Sequence, residues 1–231
     1  MYDRLNSPVF VTGVERSGMP IIAQIISIAG GFTGSCTDML ENIHIKSIVD
    51  NYYSDIGLNP KGQYPLPDTK KMFIPTNWKQ TIEKIILSEG YKCQTWMYQS
   101  PRICQLWPIW NYAYPDAKWI IVRRRPTDII NSCLKTGFMT AFSSGAYQKE
   151  VGVMTESEGW KWFIHEHEKY FVDMIESGLN CKVIWPERMV TGNYQQIYEM
   201  IEWLGLEWNE NIVTCMKFKT EKQWDALQPQ R

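Results

Sequence analysis

Arg16, Ser17 and Gly18 stand just past a run of β-branched and aromatic residues, Val9-Phe10-Val11-Thr12, closed by Gly13. An apolar stretch, Ile21 to Ala29, follows them. This order reads as a buried strand, a tight turn from Gly13 to Gly18, and a helix. Such a turn aims backbone N–H groups and the positive end of a helix dipole at one point, which suits a phosphate or sulfate. The spacing nearly spells the phosphate loop G-x-x-x-x-G-K-[ST], but Met19 stands in place of the lysine and Pro20 in place of the Mg²⁺-binding hydroxyl. Mg²⁺-assisted transfer of a γ-phosphoryl group therefore lacks its usual machinery. Val14, Glu15, Arg16, Ser17, Gly18, Met19 and Pro20 are read as a loop for an anion that needs no metal at this point.

A second basic group lies at Arg123-Arg124-Arg125, directly after the apolar run Ala117 to Val122. Pro126 opens the helix expected next. Ser132, eight residues beyond Arg124, lies nearly two turns into that helix and can share a face with Thr127 or Asp128. An arginine fork at a strand end and a serine hydroxyl on the helix can hold one phosphate between them. The competing reading is a solvated edge whose arginines pair with Asp or Glu. Taken together, the two clusters point to a ligand with two separated anionic groups.

The elements that must position these groups follow from periodicity and punctuation. Helices are predicted over 38–53, 78–87, 102–112, 127–135, 158–176 and 194–204, and strands over 93–98, 117–122 and 181–185. Strands alternating with helices predict an α/β fold: a three-layer α/β/α arrangement with a central, mainly parallel sheet. The 231 residues suit one domain spanning 1–231. Gly57, Pro60, Gly62, Pro65, Pro67 and Pro75 mark 54–76 as a long loop, and 137–152 reads as a mobile connection. A net charge of −1 provides no global field for nucleic acid or an acidic membrane, so no such partner is expected. The first strand begins by residue 8, which leaves no signal peptide, and no apolar run approaches transmembrane length, so a cytoplasmic protein is expected. Six cysteines lack C-x-x-C spacing, and Cys93, Cys133 and Cys181 are read as reduced thiols within strands or helices.

These motifs resemble the sulfotransferases that use 3′-phosphoadenosine 5′-phosphosulfate (PAPS), in particular small bacterial and phage-encoded members. That family holds the 5′-phosphosulfate in a loop [KR]-[ST]-G-[TS]-[TS]; Arg16, Ser17 and Gly18 match it, and Met19 and Pro20 do not. Its 3′-phosphate motif, R-x-P-x-[DE]-x-x-x-S, is matched at every position by Arg124, Pro126, Asp128 and Ser132. Pro115 to Lys118 is similar to the family's F-P-D-A-[KR]. Pro186 to Met189, with Trp203-Leu204-Gly205-Leu206, is similar to its closing motifs. The likeness runs from residue 8 to about 208. It implies a P-loop-like fold, PAPS as sulfuryl donor, adenosine 3′,5′-bisphosphate as product, no essential metal, and a sugar, small alcohol or similar acceptor. The segments 54–76 and 137–156 would shape the acceptor site.

The resemblance also assigns roles. Arg16 would stabilise the departing 5′-phosphate with the amides of Ser17, Gly18 and Met19, and Arg124 with Ser132 would anchor the 3′-phosphate. Where cytosolic members carry a K-T-H motif, this chain reads Gln99-Ser100-Pro101-Arg102. Members acting on protein tyrosine or glycans use a glutamate as base. Glu41 is the preferred counterpart here, with Asp38 and His44 at helical spacing i, i+3, i+6 beside the acceptor. Trp185 or a tryptophan in 107–110 could stack on adenine; the tail with Lys217, Lys219, Lys222 and Trp224 sits where many members carry a basic loop over the 3′-phosphate, but it lacks their glycine-rich pattern and reads as solvated surface. Trp160, Trp162 and Phe163 read as core. His165 and His167, two apart on a helix, diverge too far to share a metal. Two alternatives stay open: a non-catalytic nucleotide-binding or interaction protein on the same scaffold, and a nucleotide or small-molecule kinase.

Overall fold

The computed structural model describes residues 5–214 of the chain. In chain order, β1 (Val9–Gly13) leads into α1 (Met19–Ile28), α2 (Ile43–Asp55) and α3 (Trp78–Ser88). After β2 (Met97–Gln99) come α4 (Arg102–Gln105) and α5 (Trp107–Ala113). Next are β3 (Lys118–Val122), α6 (Pro126–Lys135), α7 (Gly145–Glu150) and α8 (Glu156–Glu176). The described part closes with β4 (Asn180–Ile184), α9 (Glu187–Val190) and α10 (Gln195–Leu204). The strands form one parallel sheet in the order β2-β1-β3-β4, with Val9 beside Met97 and Lys118, and Gly13 beside Val122.

Alternation along the strands sends side chains to both faces, and both faces are covered, as a parallel sheet requires. Val9, Val11, Ile120 and Val122 pack under α1 and α10. Phe10, Trp119 and Ile121 pack under the larger layer that includes α2, α3, α5 and α8. The expected three-layer α/β/α arrangement is therefore present. The high aromatic content is concentrated in that second layer: Phe10 lies 5.0 Å from Trp110, 4.9 Å from Trp119 and 5.9 Å from Tyr114, ring centre to ring centre. Trp160 and Phe163 are each 1% exposed and are core, as expected.

Several boundaries differ from the sequence reading. The helix predicted over 38–53 begins only at Ile43, because the Asn42 side chain accepts from the backbone N–H of His44 and Ile45 and caps the helix there. Residues 37–41 instead close a turn, with Leu40 at φ 61°. The predicted 102–112 helix breaks at Leu106, since Pro108 must occupy the first turn of a new helix. The strand predicted from Cys93 is confined to Met97–Gln99: Cys93 sits exposed at φ 67° in a turn, so it is not a core thiol. Cys133 is buried and Cys181 half-buried, both free thiols. The connection at 137–152 carries a helix, α7. The 54–76 loop has neither helix nor strand beyond the end of α2. No described helix is long and apolar enough to cross a membrane. Cys215, Lys217, Lys219, Lys222 and Trp224 lie outside the described residues.

Candidate functional site

The chain runs from β1 out to β2 on one side and returns to β3 on the other, so the loops after β1 and β3 sit side by side at the carboxyl ends of adjacent strands. The first of these loops depends on Gly13. A Cβ there would lie 2.4 Å from the Val122 carbonyl oxygen and 2.7 Å from Ser17 Oγ, so any larger residue would part β1 from β3. Ser17 N–H donates to the Val14 carbonyl at 3.1 Å, closing the turn. Within it Arg16 holds φ 69°, a left-handed conformation that costs a non-glycine residue about 1–2 kcal/mol. Gly18, at φ 99°, then starts α1 as an N-cap with no capping side chain. Pro20 has no N–H and Ile21 N–H donates to the Gly18 carbonyl at 3.1 Å, so Met19 is left as the backbone donor of the first turn.

The side chains of this loop divide sharply. Val14 and Met19 are each 3% exposed and belong to the two hydrophobic layers. Met19, in the place of a phosphate-loop lysine, points into the core under α10 rather than toward a ligand. Pro20 lies in the first helical turn, where its missing N–H removes one donor from the anion site. Glu15 is also turned inward. Neither of its carboxyl oxygens has a hydrogen-bond partner, and burial pushes the group up to about 8, with Arg102 opposing the shift and Glu41 adding to it. Ser17 Oγ is likewise buried without a partner. It is a neutral donor at the mouth of α1.

The two predicted anion clusters, more than a hundred residues apart in sequence, are one cluster in space. Arg16 Nε donates to Ser132 Oγ at 2.8 Å, and Arg124 Nη1 donates to the Arg16 carbonyl at 3.1 Å. The Phe138 ring centre lies 5.7 Å from the Arg16 guanidinium carbon. The three consecutive arginines have separate fates. Arg123 pairs with Glu168 at 2.5 Å and lies 5.0 Å over the Trp185 ring. Arg125 pairs with Asp128 at 2.9 Å and Glu187 at 3.4 Å. The solvated-edge reading thus holds for these two. Arg124 has no ion pair among the described residues. Burial holds its guanidinium below the usual arginine range, against the pull of Asp128 and Glu187, and the like charges of Arg16 and Arg125 add to the effect. Arg16 and Arg124 are two cations short of counter-charge beside the free Ser17 hydroxyl and an open helix N-terminus. That donor set fits a ligand carrying two anionic groups.

Glu41, Asp38 and His44 do not share a helical face, because Asp38 and Glu41 precede α2. Glu41 turns inward: its Oε1 accepts from Tyr98 Oη at 3.1 Å and from Arg102 Nη2 at 3.0 Å. Both bonds fall on Oε1, so Oε2 remains to accept a proton. Asp38 is exposed, and the exposed His44 ring lies 3.7 Å from Glu89. Arg102, 4% exposed, binds Glu41, Asp50 and the Pro60 carbonyl. Gln99, the last residue of β2, keeps a buried Oε1 without a partner.

Of the proposed adenine platforms, Trp110 is fully buried in the aromatic core, while Trp107 and Trp185 are half-buried. His167 is buried, with its ring nitrogens 3.0 Å from Gln105 Nε2 and 2.9 Å from the Phe163 carbonyl. A cavity of about 360 Å³ lies farther along the chain, lined by Met154, Glu158, Lys161, Trp162, His165 and neighbours, and shares no residue with the cluster around Arg16. Sequence reasoning missed Phe138 and Gln63 as members of the site's surroundings, since no local spacing ties either to Arg16.

No protein-family model matches the chain, and no curated protein resembles it in sequence. Solved structures do share its architecture: the chain has the fold of bacterial sulfotransferases. The likeness to the sulfotransferase from Alicyclobacillus acidocaldarius covers 96% of this chain and 95% of that one, with a TM-score of 0.53 and 15% identity. With sulfotransferase STF9 from Mycobacterium avium it covers 97% of this chain and 69% of that one, at a TM-score of 0.50 and 12% identity. At such identities the likeness carries the fold and leaves the chemistry to individual residues.

Proposed function

We propose that this protein is a PAPS-dependent sulfotransferase acting on an acceptor hydroxyl of a sugar, small alcohol or similar molecule. The observation that carries the reading is the joining of Arg16, Arg124 and Ser132 at the ends of β1 and β3, with neither arginine in an ion pair among the described residues. The bound donor supplies the sulfuryl group. Arg124 and Ser132 bind the 3′-phosphate. Arg16, fixed through Nε, keeps its two terminal amino groups for the 5′-phosphate, where negative charge grows as the bond to sulfur breaks. Ser17 Oγ and the Met19 N–H at the start of α1 add neutral donors. Glu41 takes the acceptor proton on Oε2 while Tyr98 and Arg102 hold Oε1, an oriented base of the kind this step needs. These residues act in the order bind, orient, deprotonate, stabilise.

A second reading has a specific basis. Met19 is a core residue, Pro20 gives no amide and Gln99 brings no charge to the end of β2, which favours a nucleotide-binding protein without turnover. Incubation with ³⁵S-labelled PAPS separates the two. Slow release of labelled sulfate, or its transfer to an added alcohol, that disappears in Arg16→Ala supports the enzyme. Tight binding of adenosine 3′,5′-bisphosphate with no release by the wild type supports the binding protein.

A further inference from the structure

Gln63 is 4% exposed and stands in the irregular segment between α2 and α3. Its Nε2 donates to the Phe138 carbonyl at 2.8 Å, and its Oε1 accepts from Thr140 N–H at 3.0 Å and Ala141 N–H at 3.2 Å. One amide thus serves three backbone groups of a segment more than seventy residues away. The turn that carries it is fixed from behind. Arg102 Nη1 donates to the Pro60 carbonyl at 2.7 Å, and Gln105 Nε2 donates to the Gly62 carbonyl at 2.8 Å. A Cβ on Gly62, at φ 66°, would meet Arg102 Cγ at 2.6 Å, so the turn seats directly on α4. Tyr64 completes the joint, with ring centres 4.8 Å from Tyr147 and 5.6 Å from Trp162.

At the far end, Phe138 stands 5.7 Å over the Arg16 guanidinium and is itself 48% exposed, while Met139 and Phe142 beside it are buried in the core. α6 has ended at Lys135, and before α7 the segment makes two turn bonds, Met139 N–H to the Thr136 carbonyl and Ser143 N–H to the Thr140 carbonyl, which leave the Phe138 carbonyl and the Thr140 and Ala141 N–H groups to Gln63. We infer that Gln63 is a positioning residue that, through the backbone of residues 138–141, sets the Phe138 ring against Arg16 and joins the two loop segments into one wall of the anion cleft. The ring serves the guanidinium as a cation–π partner. Ser132 takes Nε, so the terminal amino groups are the edge left for a ligand. A neutral amide suits the task because it must both donate and accept. A carboxylate would turn an acceptor toward the Phe138 carbonyl.

The geometry is tested without a ligand, and its consequence for binding, which rests on the nucleotide reading, is tested separately. In the ¹⁵N-labelled full chain, the Arg16 Nε–H resonance is assigned by its loss in Arg16→Lys. Phe138→Leu is expected to remove its ring-current shift. Gln63→Leu should move it most of the way to the same position, with exchange about tenfold faster. The double variant should go no further than Phe138→Leu alone. Gln63→Glu, which keeps the acceptor for Thr140 and Ala141, should fall between, and it carries the test if Gln63→Leu does not fold. A resonance unmoved by Gln63→Leu but moved by Phe138→Leu, or two effects that add in full, would overturn the inference. Titration of the same samples with adenosine 3′,5′-bisphosphate should show weaker binding in both single variants. If the wild type binds none while the resonance behaves as stated, the nucleotide reading falls and the positioning role stands.

Discussion

Arg124 is chemically distinct from the arginines on either side of it because they are neutralised and it is not. Glu168 compensates Arg123, and Asp128 with Glu187 compensates Arg125. Replacing Arg123 or Arg125 by alanine is therefore expected to leave bisphosphate affinity within about threefold of wild type. Glu41→Gln keeps an acceptor for Tyr98 and Arg102 but gives up basicity. It should lower sulfuryl transfer by about 10²–10⁴ while binding of the bisphosphate is unchanged, and a parallel loss of binding would contradict the role. Glu15 makes a prediction about stability. Its carboxyl rises from 4.5 to about 8 on folding, chiefly through burial. Between those values the folded chain keeps a proton that the unfolded chain has released, so this group makes stability fall as pH rises through that window. His167, pushed down to about 4 by burial, acts with the opposite sign between about 4 and 6.5. The difference between wild type and Glu15→Gln isolates Glu15. The variant should gain stability relative to wild type from pH 5 to pH 8, reaching roughly 2–4 kcal/mol in urea melts. A constant difference would mean that the carboxyl is not buried as a neutral acid.

At the level of elements, the start of α1 decides what the first loop can hold. Met19→Lys restores the letter of a phosphate-loop lysine but sends a charge into the hydrophobic layer under α10. The expected outcome is a loss of about 2–4 kcal/mol in thermal or urea melts and no gain of Mg·ATP binding. Gly13→Ala should cost a similar amount, since the Val122 carbonyl stands where the methyl would go. Much of this scale was legible in the sequence. β1 and β3 announce themselves as short runs of β-branched and aromatic residues, Pro126 marks the start of α6, and Gly205 closes α10 in a left-handed conformation. Other features were hidden for physical reasons. Apolar residues at 39, 43, 45, 48 and 49 resemble a longer helix, yet the Asn42 cap outweighs them and leaves Glu41 outside the helix. Cys93 lies next to a true strand, but a left-handed residue cannot join a parallel ladder.

For the whole molecule, the deciding fact is that β1 and β3 are neighbours while β2 lies on the far side of β1. Local pattern pointed to two basic loops; the strand order makes them neighbours, with Arg16 bonded to Ser132 and Arg124 to the Arg16 carbonyl. Gln63 and Phe138 escaped sequence reading for the same reason, because their link crosses the sheet's connections rather than following any period along the chain. The chain shares the fold of the solved bacterial sulfotransferases, and the uncompensated arginines give its strand ends their proposed chemistry. The most direct test is a calorimetric titration of the full chain with adenosine 3′,5′-bisphosphate in the absence of Mg²⁺. Saturable one-to-one binding, weakened about 10- to 100-fold in Arg124→Ala, is the predicted result. No binding, or binding of Mg·ATP in its place, would contradict the account.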